Sequence, residues 1–155
     1  MDYREALCTQ IDLYFNDIVK PYHDVTVPAM KAAKKLKLFR KTDFTGYIAD
    51  FEKLKEKALR LESMDIPVPE TDIDAKLLAK DFRNSLLSFI MLCDSNIVFY
   101  DWNQRKQYPD SGVTIKGYND VVNDMKKALA EAVMDLDFLE RTYKKYQGQK
   151  SETEA

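Results

Sequence analysis

The sequence predicts an all-α fold, namely an antiparallel up-down-up-down four-helix bundle with long helices. Three observations predict it. Apolar residues recur at alternating steps of three and four along most of the chain, which is the period of a helix packed on other helices. No segment alternates between apolar and polar residues at period two. The 4 glycines and 5 prolines are few and separate four long segments, as short connections between antiparallel helices require.

The first segment carries a long seam with one irregular step. Its apolar positions are Leu7, Ile11, Tyr14, Ile18, Tyr22, Val25, Ala29, Ala32, Leu36 and Phe39. The step from Ile18 to Tyr22 is an additional four-residue step where the repeat requires three, which is a stutter in the heptad pattern. Pro21 and Pro28 each remove one helical hydrogen bond. Two interpretations remain open: a single helix kinked near these prolines from Tyr3 to Phe39, or two helices separated by an irregular joint at Pro21–Thr26.

The second helix is predicted from Asp43 to Met64, with Thr42 or Asp43 suited to cap its start. Its seam consists of Phe44, Tyr47, Phe51, Leu54, Ala58 and Leu61. Charged residues occupy the opposite side, as expected for a helix with one buried face.

The third helix is predicted from Asp72 to Gln107, and Thr71 with Asp74 gives a weak capping-box signal at its start. One face carries Phe82, Leu86, Phe89, Ile90, Cys93, Ile97 and Tyr100. A second stripe lies about 130° away around the helix. This second stripe consists of Leu87, Met91, Val98 and Trp102. A helix that is apolar on two sides is expected to meet a neighbour on both.

The fourth helix is predicted from Lys116 to Gln147, ending near Gly148. Its seam is Tyr118, Val122, Met125, Leu129, Ala132, Leu136, Leu139, Tyr143 and Tyr146. We therefore expect one bundle domain over residues 1–147. Residues 148–155 lack apolar side chains and are expected to form a disordered tail.

The composition argues against several classes of enzyme. The chain has a net charge of −2, one histidine and two cysteines. A di-iron bundle needs two Glu-x-x-His motifs, and a zinc site needs several His or Cys ligands. We expect no metal, no cofactor and no enzymatic activity. The charge balance makes no strong case for nucleic acid as a partner.

The polar start of the chain and the absence of a long apolar run bear on location. No apolar core of a signal peptide follows Met1, and no stretch reaches the ~20 residues of a membrane span. We expect a cytoplasmic protein, and the alternative is a secreted domain cloned without its signal peptide. Cys8 and Cys93 should differ in height by roughly 20 Å, so no intramolecular disulfide is expected.

The second stripe of the third helix is the predicted interface. Leu87, Met91, Val98 and Trp102 would form a contiguous apolar patch that is unusual on a monomer. We expect self-association as a homodimer. The alternatives are that a bent first helix covers the stripe internally, or that a different protein binds it.

Two further sets of residues are candidate binding sites. Asp94, Asn96 and Tyr100, together with His23, are polar groups among aromatic residues and could hold a small ligand. The ordinary alternative is that they bond a facing helix. Six cations could bind an anion: Lys31, Lys34, Lys35, Lys37, Arg40 and Lys41. The ordinary alternative is a solvated helix end whose cations complement the helix dipole.

These observations predict a non-enzymatic helical interaction or scaffold protein that acts through protein–protein contacts and self-associates. The alternative is a small-ligand or anion-binding helical bundle that uses the polar cluster of the third helix or the Lys31–Lys41 basic patch.

Overall fold

A computed structural model of the protein describes residues 2–35 and 41–154, with side chains described as far as residue 149. It contains α1 (Tyr3–Tyr14), a π-helical segment (Phe15–Val19), α2 (Lys20–Lys34), α3 (Thr45–Ser63), α4 (Ile73–Lys106) and α5 (Ile115–Glu154). The first three run on without a break and form the first helix of the bundle. The predicted all-α four-helix bundle is confirmed, and the described ranges contain no strand.

Side-chain contacts give the direction of each helix. The Tyr3 hydroxyl donates to Asp72 at the start of α4, so the first helix runs parallel to α4. The backbone N–H of Phe44, just before α3, donates to Gln104 near the end of α4. Thr142, late in α5, donates to Asp81, early in α4. Both α3 and α5 are therefore antiparallel to α4, which gives the up-down-up-down order.

The central helix is α4, which packs closely against both α3 and α5. Its 34 residues span about 50 Å, and the 40 residues of α5 span about 60 Å. Since α3 has only 19 residues, it covers little more than half of α4. The first helix lies against α3 and α4 and meets α5 mainly near the end of that helix, where the Tyr143 hydroxyl donates to Asp12.

The first helix is continuous through Pro21 and contains Pro28, which confirms the single-helix interpretation as far as Lys34. The N–H of Lys20 bonds the carbonyl of Phe15, an i→i+5 bond that widens one turn. This wider turn absorbs the extra residue of the stutter, so that Ile18 and Tyr22 are both buried. The helix ends at Lys34, because Lys35 adopts an extended backbone. The predicted extension to Phe39 lies outside the described residues.

Aromatic rings fill the middle of the core. The rings of Phe51 and Tyr100 are stacked with centroids 5.4 Å apart, and Tyr22 meets Phe89 edge to face at 5.3 Å. Such pairs contribute about 0.5–1.5 kcal/mol each beyond their buried area. These contacts join the first helix, α3 and α4 around one centre.

The helix ends differ from the sequence predictions in three places. Asp72, rather than Thr71, caps α4 by accepting the N–H of Ala75. The N-cap of α3 is Phe44, without a side-chain capping bond, in place of the predicted Thr42 or Asp43, and Asp43 accepts the N–H of Thr45 from one residue farther out. The helix α5 continues through Gly148 to Glu154, where the sequence predicts a stop and a disordered tail. Gly148 does not take the positive φ of a glycine helix cap, so nothing in its backbone ends the helix.

Candidate functional site

Three of the four predicted interface residues are exposed on α4. The exposed fractions are 41% for Leu87, 59% for Met91 and 45% for Val98. The first helix does not cover them, so the alternative of internal cover is wrong for these three. That they bind a partner stays a prediction.

Trp102, the fourth predicted interface residue, is partly covered from within the chain. Its indole ring lies so close to Gly117 that a Cβ atom at Gly117 would be 2.8 Å from the Trp102 ring. The guanidinium of Arg105 lies 5.1 Å from the centroid of the same ring. Trp102 therefore packs at the junction between the end of α4 and the start of α5, and the exposed surface is smaller than the sequence predicts.

The outer side of α5 adds apolar residues to this surface. Its exposed members are Leu129, Val133, Met134 and Phe138. The bonds from Ser88 to Asp135 and from Thr142 to Asp81 set the register between α4 and α5. Met134 and Phe138 therefore lie at the level of Leu87 and Met91 along the bundle. Leu129 and Phe138 are nine residues apart and point to opposite sides of α5, so the four exposed α5 residues spread around the exposed half of that helix instead of forming one stripe. We call the seven exposed apolar residues of α4 and α5 together the α4–α5 face: Leu87, Met91, Val98, Leu129, Val133, Met134 and Phe138.

Sequence reasoning missed the α5 part of this face for an identifiable reason. Leu129 belongs to the predicted seam of the fourth helix, which is expected to be buried. In the structure the first helix packs toward α3 and leaves that side of α5 open. The signal that could have found it is the presence of Val133, Met134 and Phe138 off the seam.

The α4–α5 face carries shallow depressions. One depression of about 560 Å³ is lined by Lys126, Leu129, Ala130, Val133, Met134 and Asp137. A smaller one of about 150 Å³ lies between Val98 on α4 and Val121 on α5, with Asp94, Ser95 and Asp124 at its edge. Both are wide and open, a shape that suits a protein side chain better than an enclosed small molecule.

The structure does not bring the residues of the predicted ligand site together, because they point in different directions. Asp94 pairs with Lys55 of α3 at 2.6 Å, on the surface. His23 is exposed on α2. Asn96 is buried and donates to the carbonyl of Leu92 at 2.9 Å and to the hydroxyl of Tyr22 at 3.0 Å. These contacts match the ordinary alternative, in which the polar groups bond facing helices.

Tyr100 has the one buried side-chain polar atom without a hydrogen-bond partner in the described part of the chain, its hydroxyl. The rings of Phe44, Phe51 and Phe99 surround it. Burial raises the pKa of Tyr100 above its usual value of 10.0, since the phenolate would be desolvated. The arrangement keeps this hydroxyl neutral at neutral pH.

The predicted anion site is described only in part. Lys31, Lys34, Lys35 and Lys41 are exposed, whereas Lys37 and Arg40 lie outside the described residues. The Lys41 ammonium lies 3.8 Å from the centroid of the Tyr108 ring, a cation–π contact with the connector before α5.

The cysteines and acidic groups offer no reactive cluster among the described residues. Cys8 and Cys93 are not joined by a disulfide. Burial raises the pKa of the Cys93 thiol to about 12, which leaves it protonated and unreactive at neutral pH. Within residues 2–35 and 41–154, no three His, Cys, Asp or Glu side chains come together as metal ligands would.

A cluster at the start of the bundle ties two helices together. Asp72 accepts hydrogen bonds from the Tyr3 hydroxyl at 2.5 Å and from Arg4 Nε at 3.0 Å. These bonds stabilise the carboxylate and hold the pKa of Asp72 below its usual value, the Tyr3 bond having the largest effect. Its role is to fix the first helix against α4.

Comparison with known proteins finds no matching family model, no similar curated protein and no similar solved structure. In the described part of the chain, none of the helices combines the length and apolar character needed to cross a bilayer.

Proposed function

We propose that this protein is a non-enzymatic helical interaction protein that binds a protein partner through the α4–α5 face. The single observation that carries the proposal is the set of seven exposed apolar side chains on the outer side of the two longest helices. Exposed apolar surface is costly to leave in water, and where it is extensive it marks contact sites on soluble domains.

The composition of the face supports a protein partner. Met91, Met134 and Phe138 are of the types enriched at the centres of protein interfaces. Lys126 and Asp137 line its edge and would form a polar rim. Methionine is flexible and polarisable, so it adapts to the shape of an apposed helix.

The alternative of a small-ligand bundle has weaker support. Asn96 is held by Tyr22 and Leu92, and Asp94 is held by Lys55. A ligand competing for these groups would have to break bonds that already satisfy them. The proposal therefore rests on the exposed surface and assigns the buried polar groups a structural role.

The test compares two leucines of similar exposure. Leu87 on the face is 41% exposed, and Leu13 on α1, which is neither of the helices that form the face, is 43% exposed. Wild-type protein and the Leu87→Glu and Leu13→Glu variants are purified from the native host and examined by native mass spectrometry. We expect a retained protein partner in the wild type and in Leu13→Glu, and its loss in Leu87→Glu. A wild-type protein that carries no partner, or equal loss in both variants, would contradict the proposal.

A further inference from the structure

One side of α5 carries a second, short heptad seam that faces solvent. Lys126, Val133 and Glu140 are spaced by seven residues and so lie on the same side of the helix. Leu129 and Ala130 lie between the first two, and Asp137 lies between the last two. We call these six residues the α5 strip. The predicted core seam occupies the neighbouring side, where Met125, Ala132 and Leu139 are buried.

No helix of the described chain covers the α5 strip. Val133 is 58% exposed, and Lys126, Asp137 and Glu140 are also exposed. The first helix contacts α5 around Tyr143. It reaches the strip only at its end, where Glu140 borders an open depression that is also lined by Phe15, Val19, Lys20 and His23. The strip therefore offers an apolar centre at Leu129, Ala130 and Val133 with charged ends.

The two ends of the strip have opposite charge. Lys126 lies at one end, and Asp137 and Glu140 lie at the other. Among the described residues neither Lys126 nor Glu140 forms an ion pair, whereas Asp137 pairs with Arg141 at 3.0 Å on the surface. Because Lys126 and Glu140 are each seven residues from Val133, the charged ends of the strip are complementary to those of a reversed copy, while Leu129 would face Asp137. An antiparallel copy would bring Lys126 against Glu140 twice, and a parallel copy would set like charges together.

From this complementarity we propose that the occupant of the α5 strip is a second copy of this chain, related by a two-fold axis at Val133. An isologous contact of this type is the commonest way for identical chains to assemble. The inference rests on the proposed function and names one partner for the α5 part of the α4–α5 face. The Leu87, Met91 and Val98 part on α4 stays available to another protein.

The size of the strip sets the strength of the contact. From Lys126 to Glu140 the strip is about 21 Å long. An interface built on it is smaller than the roughly 1,600 Å² of a standard stable complex. We expect a reversible dimer with a dissociation constant on the order of 10 μM rather than a permanent one.

The charge test uses single and combined substitutions followed by sedimentation velocity. Lys126→Glu and Glu140→Lys each replace two attractive pairs with two repulsive ones, and we expect each to raise the dissociation constant at least about fivefold. An equal mixture of the two variants regains both attractive pairs, as does the double variant Lys126→Glu/Glu140→Lys. Recovery in both supports the antiparallel contact, and failure of the double variant to recover overturns it.

A cysteine test fixes the orientation. Val133→Cys lies on the proposed axis, so two copies should form a disulfide that joins residue 133 to itself. In two Leu129→Cys chains the cysteines would be about 12 Å apart along the direction of the helices, which is too far for a disulfide. A mixture of Leu129→Cys with Asp137→Cys should form a mixed disulfide, and peptide mass spectrometry identifies the linked residues. Self-linking of Leu129→Cys as fast as Val133→Cys overturns the antiparallel arrangement.

The two proposals fail separately. A wild-type protein that stays monomeric up to about 1 mM overturns this inference. It leaves the proposed function intact if Leu87→Glu still releases a partner that Leu13→Glu retains. The converse result is a wild-type dimer that Lys126→Glu weakens, while Leu87→Glu loses no partner. That result supports the α5 contact and overturns the proposed function of the α4 surface.

Discussion

At the scale of single residues, the direction of each side chain explains why the polar groups predicted as a ligand site bond facing helices instead. Asp94 and Asn96 are two residues apart in sequence, and on a helix this spacing makes them point about 200° apart. Asp94 therefore reaches α3 at the surface, and Asn96 reaches Tyr22 in the core. The sequence predicts that both residues are near aromatic rings. It does not show which side of α4 each neighbouring helix occupies, because that depends on tertiary packing and not on the heptad spacing.

The closest packing of a single residue lies at Gly117, and it yields a matched prediction. A Cβ atom there would lie 2.8 Å from the Trp102 ring and 2.9 Å from the Thr114 hydroxyl oxygen. We expect Gly117→Ala to lower the free energy of unfolding by about 1–2 kcal/mol, because the ring must shift. Gly46→Ala, in an open helical position, should raise it by about 0.4–1 kcal/mol. Urea denaturation checks both, and equal effects would refute the packing argument.

At the scale of elements, the stutter in the first seam is the most informative feature of the sequence. It predicts an irregularity between Ile18 and Tyr22, and the π-helical segment Phe15–Val19 begins about one turn earlier and overlaps this step at Ile18 and Val19. The heptad pattern could not predict that the turn widens instead of breaking, because that depends on burying Tyr22 against Phe51 and Phe89. Local proline geometry and tertiary packing compete here, and packing decides the outcome.

Pro28 tests the cost of keeping this helix continuous. It lies inside α2, lacks an N–H and cannot bond the carbonyl of Asp24. Pro28→Ala restores that bond, which stabilises the folded protein, but it also raises the conformational entropy of the unfolded chain. The net effect should be a free energy of unfolding that is higher by about 1–2 kcal/mol. Pro67→Ala is the control in the extended connector before α4, where no helical bond is gained. Thermal denaturation of Pro28→Ala at or below the wild-type midpoint would contradict the interpretation.

For the whole molecule, the sequence predicts the number, order and direction of the helices, because four seams separated by turn residues permit few arrangements. It does not predict how evenly the helices cover one another. The first helix packs toward α3, so Leu129 of the predicted core seam is exposed. Heptad spacing shows which residues share a side of a helix, but not whether a neighbour is present on that side. The α4–α5 face arises from this uneven cover.

The buried tyrosines make stability of the whole bundle depend on pH in the alkaline range. Burial raises the pKa of Tyr14, Tyr22 and Tyr100 above 10.0, because a phenolate in the core would lose its hydration. A raised folded-state pKa means that the folded protein holds these protons more tightly than the unfolded chain. The stability that they contribute is complete below pH 10 and is lost as the pH rises toward the folded-state values. Each such tyrosine removes up to about 1.4 kcal/mol per pH unit in that window.

We therefore expect cooperative unfolding above pH 10 in which phenolate absorbance at 295 nm and loss of helical circular dichroism change together. Tyr22→Phe removes one of the titrating groups. The free energy of unfolding should therefore fall less steeply above pH 10 in the variant than in the wild type. That variant also leaves the Asn96 amide with only the carbonyl of Leu92 among its present partners, which should lower stability at pH 7 by about 1 kcal/mol. The two effects have opposite signs at the two pH values, so their combination identifies the core tyrosines as the cause. Phenolate absorbance that rises fully while the circular dichroism stays constant would show that the tyrosines ionise without unfolding the bundle, against this expectation.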